Sequence, residues 1–274
     1  MALRFTKMQG CGNDFIVVDA ISETVTENVS ALAVQVNDRR FGVGGDGLIL
    51  VSKGDSAPFR MRMLNPDGSE SEMCGNGVRC VAKFVRDRGM SDAEAIPIET
   101  GAGLLELSML GDRVRAAMGK AGLRRGEIPM AGPSDEQARG FEIEVYGQRF
   151  VGTAVSMGNP HCVIFVDDVD AVPLPIWGAS VERNSMFPER INAHFIQVIS
   201  PTELRQRTWE RGAGATLACG TGACASLVAA FTDGKSERKA TVHLPGGDLE
   251  IEYAEDGSVF MTGPAETVFE GTWG

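Results

Sequence analysis

The feature that most constrains how this chain can fold is a motif that occurs twice. Met73-Cys74-Gly75-Asn76-Gly77-Val78-Arg79-Cys80 has a counterpart in Ala218-Cys219-Gly220-Thr221-Gly222-Ala223-Cys224, and each reads Cys-Gly-(Asn/Thr)-Gly before turning apolar. The two cysteines are 145 positions apart. Asn13, ahead of Phe15-Ile16-Val17-Val18, maps onto Asn159, ahead of Cys162-Val163-Ile164-Phe165, at a step of 146. Gly103-Leu104-Leu105-Glu106-Leu107 maps onto Gly247-Asp248-Leu249-Glu250-Ile251 at a step of 144. Three anchors in one order at nearly constant offset mark a duplicated unit. This predicts two similar halves, 1–118 around Cys74 and 119–263 around Cys219, with the two cysteines at their interface and the tail 264–274 able to pack back on the first half.

The local chemistry of the motif is informative. Asn76 and Thr221 are predicted N-caps, since their side-chain oxygens can accept an orphan backbone N–H. Each cysteine would then sit just ahead of a helix N-terminus, where unpaired amides and the positive dipole end favour an anion. A thiol in that position leans towards thiolate. The flanking glycines let the backbone approach a ligand closely. Two such thiols would suit a symmetric acid/base pair.

The remaining sequence sets the class. A chain of 274 residues is long enough for two domains. Its 43% hydrophobic and 23% charged residues are those of a soluble globular protein. A net charge of −11 leaves no basic surplus for nucleic acid or an anionic membrane, and Arg39-Arg40 and Arg124-Arg125 read as solvated surface. Met1–Lys7 lacks the apolar core of a signal peptide, and no apolar run nears a membrane span. The expected location is the cytoplasm, where the six cysteines stay reduced. Cys80, Cys162 and Cys224 read as buried small hydrophobes, while Cys11 has no assigned role.

Secondary-structure signals alternate strands with one prominent helix per half, which argues for an α+β fold rather than parallel βαβ winding. Helices are predicted at about 30–40, after Asn76 as far as Gly89, at 173–184 and at about 222–232; residues 118–140 read as a crossover. Gly42-Val43-Gly44-Gly45-Asp46-Gly47 matches the G-x-G-x-x-G spacing, but it follows a helical segment and opens the strand Leu48–Val51, so it reads as a tight turn rather than a dinucleotide loop. Zinc, which the cysteines could hold with His161, His194 or His243, is disfavoured because Cys74/Cys80 and Cys219/Cys224 lack knuckle spacing; no metal ligand is assigned. A cysteine hydrolase needs one nucleophile and one oriented histidine, which leaves a second equivalent thiol unexplained. Racemisation next to a carboxylate uses both: one thiolate removes the α-proton and the opposed thiol reprotonates the other face, while helix amides hold the carboxylate.

The runs Lys7-Met8-Gln9-Gly10-Cys11-Gly12-Asn13-Asp14-Phe15, Asn65-Pro66-Asp67-Gly68-Ser69, Met73–Cys80, Met157-Gly158-Asn159-Pro160-His161 and Trp209-Glu210-Arg211-Gly212-Ala213-Gly214, with Ala218–Gly222, closely resemble the diaminopimelate epimerase family over nearly the whole chain. The resemblance implies two pseudo-symmetric halves, each a strongly curved, mostly antiparallel sheet wrapped around a central helix, with the active site in the cleft between them. It implies cofactor-independent interconversion of LL- and meso-2,6-diaminopimelate in lysine and peptidoglycan precursor biosynthesis, with a homodimer among the allowed assemblies. Carried over by residue, Cys74 and Cys219 are the catalytic thiols. Gly75, Asn76, Gly220 and Thr221 present amides to the carboxylate at the reacting centre. Asn65, Asn159, Asn192 and Arg211 hold the distal carboxylate, Glu210 the distal ammonium, Asn13 lines the pocket, and His161 is a supporting candidate. Some members have a substrate-contacting glutamine where Gly47 stands, and an acidic residue is frequent where Ala215 stands. Competing readings are a proline-racemase or phenazine-isomerase activity on the same fold, and a non-catalytic binding protein for a dicarboxylic amino acid.

Overall fold

The computed structural model describes residues 2–25 and 28–274. The chain separates into two compact units, Met1–Ala116 with Thr262–Gly274, and Ala117–Met261.

The first unit is a ribbon of strands around one helix. Strands β1 (Leu3–Gly10) and β2 (Asn13–Asp19) form an antiparallel hairpin. Helix α1 (Val29–Asn37) then crosses over to β3 (Gly47–Ser52), which lies parallel to β2. Next come β4 (Phe59–Leu64), antiparallel to β3, and the short β5 (Glu70–Ser71) beside it. The second crossover is α2 (Gly75–Asp87), which delivers β6 (Ala95–Thr100) parallel to β4. β7 (Gly103–Leu110) and β8 (Arg113–Lys120) complete the meander. Helix α2 touches β1, β2, β4, β6 and β7. Val78, Cys80, Val81, Ala82, Phe84 and Val85 are all buried, and so are Asn76 and Arg79, so the helix is enclosed nearly all round, as a central helix has to be.

The second unit repeats this order. β9 (Phe141–Val145) pairs with β10 (Gln148–Ser156), which forms a hairpin with β11 (Pro160–Phe165). Helix α3 (Leu174–Glu182) crosses over to β12 (Asn192–Ser200), parallel to β11. β13 (Glu203–Glu210) runs antiparallel to β12 with the short β14 (Gly214–Thr216) beside it. Helix α4 (Gly220–Thr232) leads to β15 (Lys239–Leu244), parallel to β13, and β16 (Gly247–Tyr253) closes the meander. The chain continues through β17 (Ser258–Pro264) to β18 (Glu266–Trp273), which pairs with β1 in the first unit. Hairpin, parallel crossover, hairpin, parallel crossover and hairpin recur in the same sequence, so the fold is α+β and internally duplicated. Both central helices stop alike: Gly89 and Gly234, 145 positions apart, take φ of 65° and 71°, the left-handed geometry a glycine adopts without a Cβ penalty.

One expectation is corrected at the helix starts. The N-caps are not Asn76 and Thr221 but Cys74 and Cys219, whose extended φ/ψ of −140°/114° and −128°/104° place them at the last non-helical position. Asn76 and Thr221 lie two residues further in, where their side chains are released for other bonds. The helix foreseen at 30–40 ends at Asn37, because Asp38 leaves helical geometry and caps the turn to Phe41.

Candidate active site

In the first unit the capping thiol is part of a polar network under the start of α2. The Gly77 N–H donates to Cys74 Sγ at 3.4 Å. Asn76, buried, donates from Nδ2 to Asn13 Oδ1 at 3.0 Å and accepts at Oδ1 from Arg79 Nη2 at 2.8 Å. Asn13 in turn donates to Asp46 Oδ2 at 2.6 Å. Arg79 is fully buried and also donates to the carbonyls of Gly75 and Pro264 and to Cys11 Sγ. That gives Cys11 a place beside the buried guanidinium, in a turn where its φ is 52°. Arg39 is not simply solvated: it forks onto Asp14 and also reaches Asp46. Burial pushes the Asp14 carboxyl up, but hydrogen bonds from Arg39 and Lys7 outweigh it and hold it below its ordinary value. Asn65 donates to Ser69 Oγ within its own turn, so the hydrogen bonds join Asn13 to Asn76 and leave Asn65 apart. At Gly47 a Cβ would come within 2.8 Å of the Met63 methyl and 3.1 Å of the Leu64 carbonyl, so Met63 occupies the space a longer side chain would need.

The second unit gathers more of the candidates. Thr221 Oγ1 lies 3.7 Å from Cys219 Sγ, and Asn159 Nδ2 donates to the same hydroxyl at 3.4 Å. This repeats the Asn13–Asn76 contact of the first unit. Asn159 Oδ1 faces His161 Nε2 at 2.8 Å, and His161 Nδ1 faces His194 Nε2 at 2.9 Å. Asn192, opposite His161 in the β11–β12 register, donates to the Pro160 carbonyl and accepts from the Arg211 N–H. The Arg211 guanidinium, exposed, donates to the Glu189 carbonyl. The loop after it is anchored by Glu182, which takes the Trp209 indole N–H and the Gly212 N–H. Asn192 thus shapes the backbone that presents Arg211.

Electrostatics sets the resting form of Cys219. Burial raises its thiol well above the ordinary value, and the neighbouring Glu210 charge raises it further; the Gly222 N–H and the Thr221 hydroxyl pull the other way without overcoming this. Glu210 is itself raised by burial, against the Thr216 hydroxyl and the Cys219 thiol. Cys219 therefore holds its proton at neutral pH, with the Glu210 carboxylate as its acceptor. The Glu210 carboxylate thus lies beside the Cys219 thiol. Cys80 and Cys162 are fully buried with thiols pushed up to about 12, and Cys224 is fully buried too, as befits packing groups. None of the six cysteines is in a disulfide.

Nitrogens of His161 and His194 and Sγ of Cys219 lie within 4.8 Å of one another, a spacing a soft metal ion could use. Each imidazole nitrogen, however, already faces a protein group, and these hydrogen bonds account for the proximity of the two rings. Burial holds both rings neutral: His161 titrates well below its ordinary value and His194 is lowered to about 3.

Asp46, Arg79, Gln206 and Thr208 were given no role in the sequence reading, and His194 was weighed there only as a zinc ligand. The repeat held a signal for His194: at the 145-residue step it stands where the first unit has Ile49, a histidine in an otherwise apolar slot.

Among known proteins, the diaminopimelate epimerase family profile matches residues 5–123 and 153–268. Diaminopimelate epimerase of Pelotomaculum thermopropionicum is 51% identical over 99% of both chains. That of Acetivibrio thermocellus is 52% identical over 98% of both. Among solved structures, a phenazine biosynthesis PhzF-family protein of Enterococcus faecalis superposes over 100% of both chains with a TM-score of 0.74 at 15% identity. A hydroxyproline epimerase of Agrobacterium vitis superposes over 99% of this chain and 92% of its own with a TM-score of 0.67 at 14% identity. At such identity these two structures speak for the fold alone.

Proposed function

The chain belongs to the diaminopimelate epimerase family, and on that premise we propose that it interconverts LL- and meso-2,6-diaminopimelate with Cys74 and Cys219 as paired base and acid. It is an isomerase, and the proline-racemase and phenazine-isomerase readings fall away with the family assignment. The observation that carries the mechanism is the cysteine at the N-cap of the central helix in both units, each with an asparagine or threonine two residues on that is bonded to the asparagine of the first hairpin. A carboxylate set against such a helix start accepts orphan backbone N–H groups, here those of Gly75 and Asn76 or of Gly220 and Thr221. The same donors stabilise charge that develops on the carboxylate as the α-proton leaves, which lowers the barrier to the carbanion.

Cys219 enters the cycle as the thiol. It donates its proton to one face of the α-carbon while the Cys74 thiolate takes the proton from the other; the reverse reaction exchanges these roles. Glu210 then serves the reacting centre, accepting from the thiol and balancing the α-ammonium of the substrate. Arg211, carried on the Asn192-braced loop, and Asn159 address the distal carboxylate. Lysine and cell-wall precursor biosynthesis is the metabolic setting this reading assigns, and the cytoplasm its compartment; among the described residues no helix is long and apolar enough to cross a membrane. The test is incubation of the pure protein with LL-diaminopimelate, without added cofactor, with chromatographic detection of the meso isomer. Tight binding with no meso product would leave only the non-catalytic reading.

A further inference from the structure

The polar chain behind Cys219 has a direction that can be worked out atom by atom. Gln206 Nε2, which can only donate, lies 2.9 Å from Thr208 Oγ1, so the Thr208 hydroxyl proton points elsewhere. Thr208 Oγ1 is 3.0 Å from His194 Nδ1, and Gln206 Nε2, which carries only hydrogens, is 3.3 Å from the same nitrogen, so a fixed donor faces Nδ1 and assigns it as the acceptor. A neutral His194 then carries its hydrogen on Nε2 and donates to His161 Nδ1. His161 in turn carries its hydrogen on Nε2 and donates to Asn159 Oδ1. The Asn159 amide is thereby turned so that Nδ2 donates to Thr221 Oγ1, and the Thr221 hydroxyl is released to donate to Cys219 Sγ. From His194 to Cys219 every link agrees with the next, while at the far end Gln206 Oε1 is buried without a partner.

We propose that His194 is a positioning residue for this reaction: through His161 and Asn159 it fixes the direction of a hydrogen-bond chain whose last donor, the Thr221 hydroxyl, is aimed at the Cys219 sulfur. The proposal rests on Cys219 being a catalytic thiol. Cys219 has burial and Glu210 against its ionisation, so the half-cycle in which it must exist as thiolate depends on the donors that face it. A chain locked in one direction supplies such a donor without the cost of reorganising it at the moment of proton transfer. The device works only while both rings are neutral, because a second ring proton would set two N–H groups against each other; full burial of His161 and His194 provides for that. It also belongs to one unit only. The first unit has Phe15 and Ile49 in the corresponding strand positions and supports its asparagine pair with Asp46 and Arg79 instead. Helix α4 makes room for the ring through Gly222, whose Cβ would fall 2.3 Å from His194 Cε1.

The chain has three histidines, so nitrogen NMR of the ¹⁵N-histidine-labelled protein is directly readable, with H243Q to assign the third. At pH 7 both His161 and His194 should show the Nε2–H tautomer. Alkylation of Cys219 by iodoacetamide, followed by peptide mass spectrometry against pH, gives the second readout. H194I, which installs the residue the other unit uses, should move its midpoint up by roughly half to one pH unit. The same variant should lower kcat roughly five- to twenty-fold with KM changed less than about twofold, since one neutral hydrogen bond to the transition state is lost. H194Q, which keeps an N–H for His161, should recover most of both. An Nδ1–H tautomer at His161 in the unsubstituted protein overturns the proposal whether or not the variants fold, and so does an unmoved alkylation midpoint in folded H194I. Neither readout uses diaminopimelate, so a failure of the substrate assignment would show separately, as normal tautomers and titration with no turnover.

Discussion

At the scale of single residues, the surroundings of Cys219 give two predictions with definite signs. Glu210 raises the Cys219 thiol, second only to burial, so E210Q should shift the alkylation midpoint of Cys219 to lower pH. Activity should fall all the same, by roughly 10- to 100-fold in kcat/KM, because a charge-assisted hydrogen bond at the reacting centre is removed. A midpoint that stays or rises would separate Glu210 from the thiol. The second concerns the buried imidazoles. Both are held neutral in the folded protein and return to about 6.5 when unfolded. Below pH ~6.5 the unfolded chain binds the more protons, so the stability that these groups support is complete above that pH and is lost as pH falls towards the folded values, about 3 for His194. Each contributes a slope of about 1.4 kcal/mol per pH unit inside that window. Urea unfolding of the wild type between pH 7 and 5 should show it, and H194Q should lose one imidazole's share. An unchanged slope in H194Q would mean that the ring is protonated in the folded state.

At the scale of elements, the two central helices are equivalent in topology and differ in what they tolerate. A Cβ at Gly77 would meet the tip of Ile49 at 3.0 Å, a flexible methyl that can move aside, whereas one at Gly222 would strike the His194 ring at 2.3 Å. That ring is held by His161 on one side and by Thr208 and Gln206 on the other, so it cannot yield. G222A should therefore cost about 1–3 kcal/mol, the range for overpacking in a dense core, and lower Tm by several degrees, while G77A costs less. Calorimetry on both variants decides the matter, and equal losses would contradict the rigidity assigned to the ring. The same comparison shows why the sequence was readable to the depth it was. Strands, both helices and the repeat were legible because hydrophobic period and glycine punctuation are local signals, as at Val78–Val85 and Gly89. The N-caps were misassigned because Asn76 and Thr221 have better capping side chains than cysteine, and what displaced them is tertiary: Asn76 bonds to Asn13, 63 positions away, and Thr221 to Asn159, 62 positions away. The placement of Glu210 beside a thiol, and the chain from Gln206 to Asn159, join strands whose register no local pattern specifies.

At the scale of the whole molecule, duplication matters because the planar carbanion can be protonated on either of two faces, and in the proposed mechanism each unit supplies the thiol for one of them. If one thiol abstracts and a different thiol donates, reaction in heavy water should place deuterium in the product isomer from the first turnover, because the donor thiol has already exchanged with solvent. Recovered substrate should stay largely unlabelled at early times. A single base behaves differently, since the hydrogen it removes can be returned to either face when exchange is slow, and the original hydrogen then reappears in product. The pair must also hold one proton between two thiols, and each direction needs the opposite assignment, so kcat/KM should be bell-shaped in pH both from LL-diaminopimelate and from the meso isomer. The raised Cys219 thiol makes that protonated partner the default at neutral pH, and it makes its thiolate the scarcer form in the direction that requires it. Cys74→Ser and Cys219→Ser should each be severely slowed, because a hydroxyl is a far weaker acid than a thiol with an ordinary pKa of about 8.5. Mass spectrometry of the isomers separated within the first few per cent of conversion decides between the mechanisms. Product carrying mainly the substrate's own hydrogen would refute the two-base assignment, whatever the serine variants do.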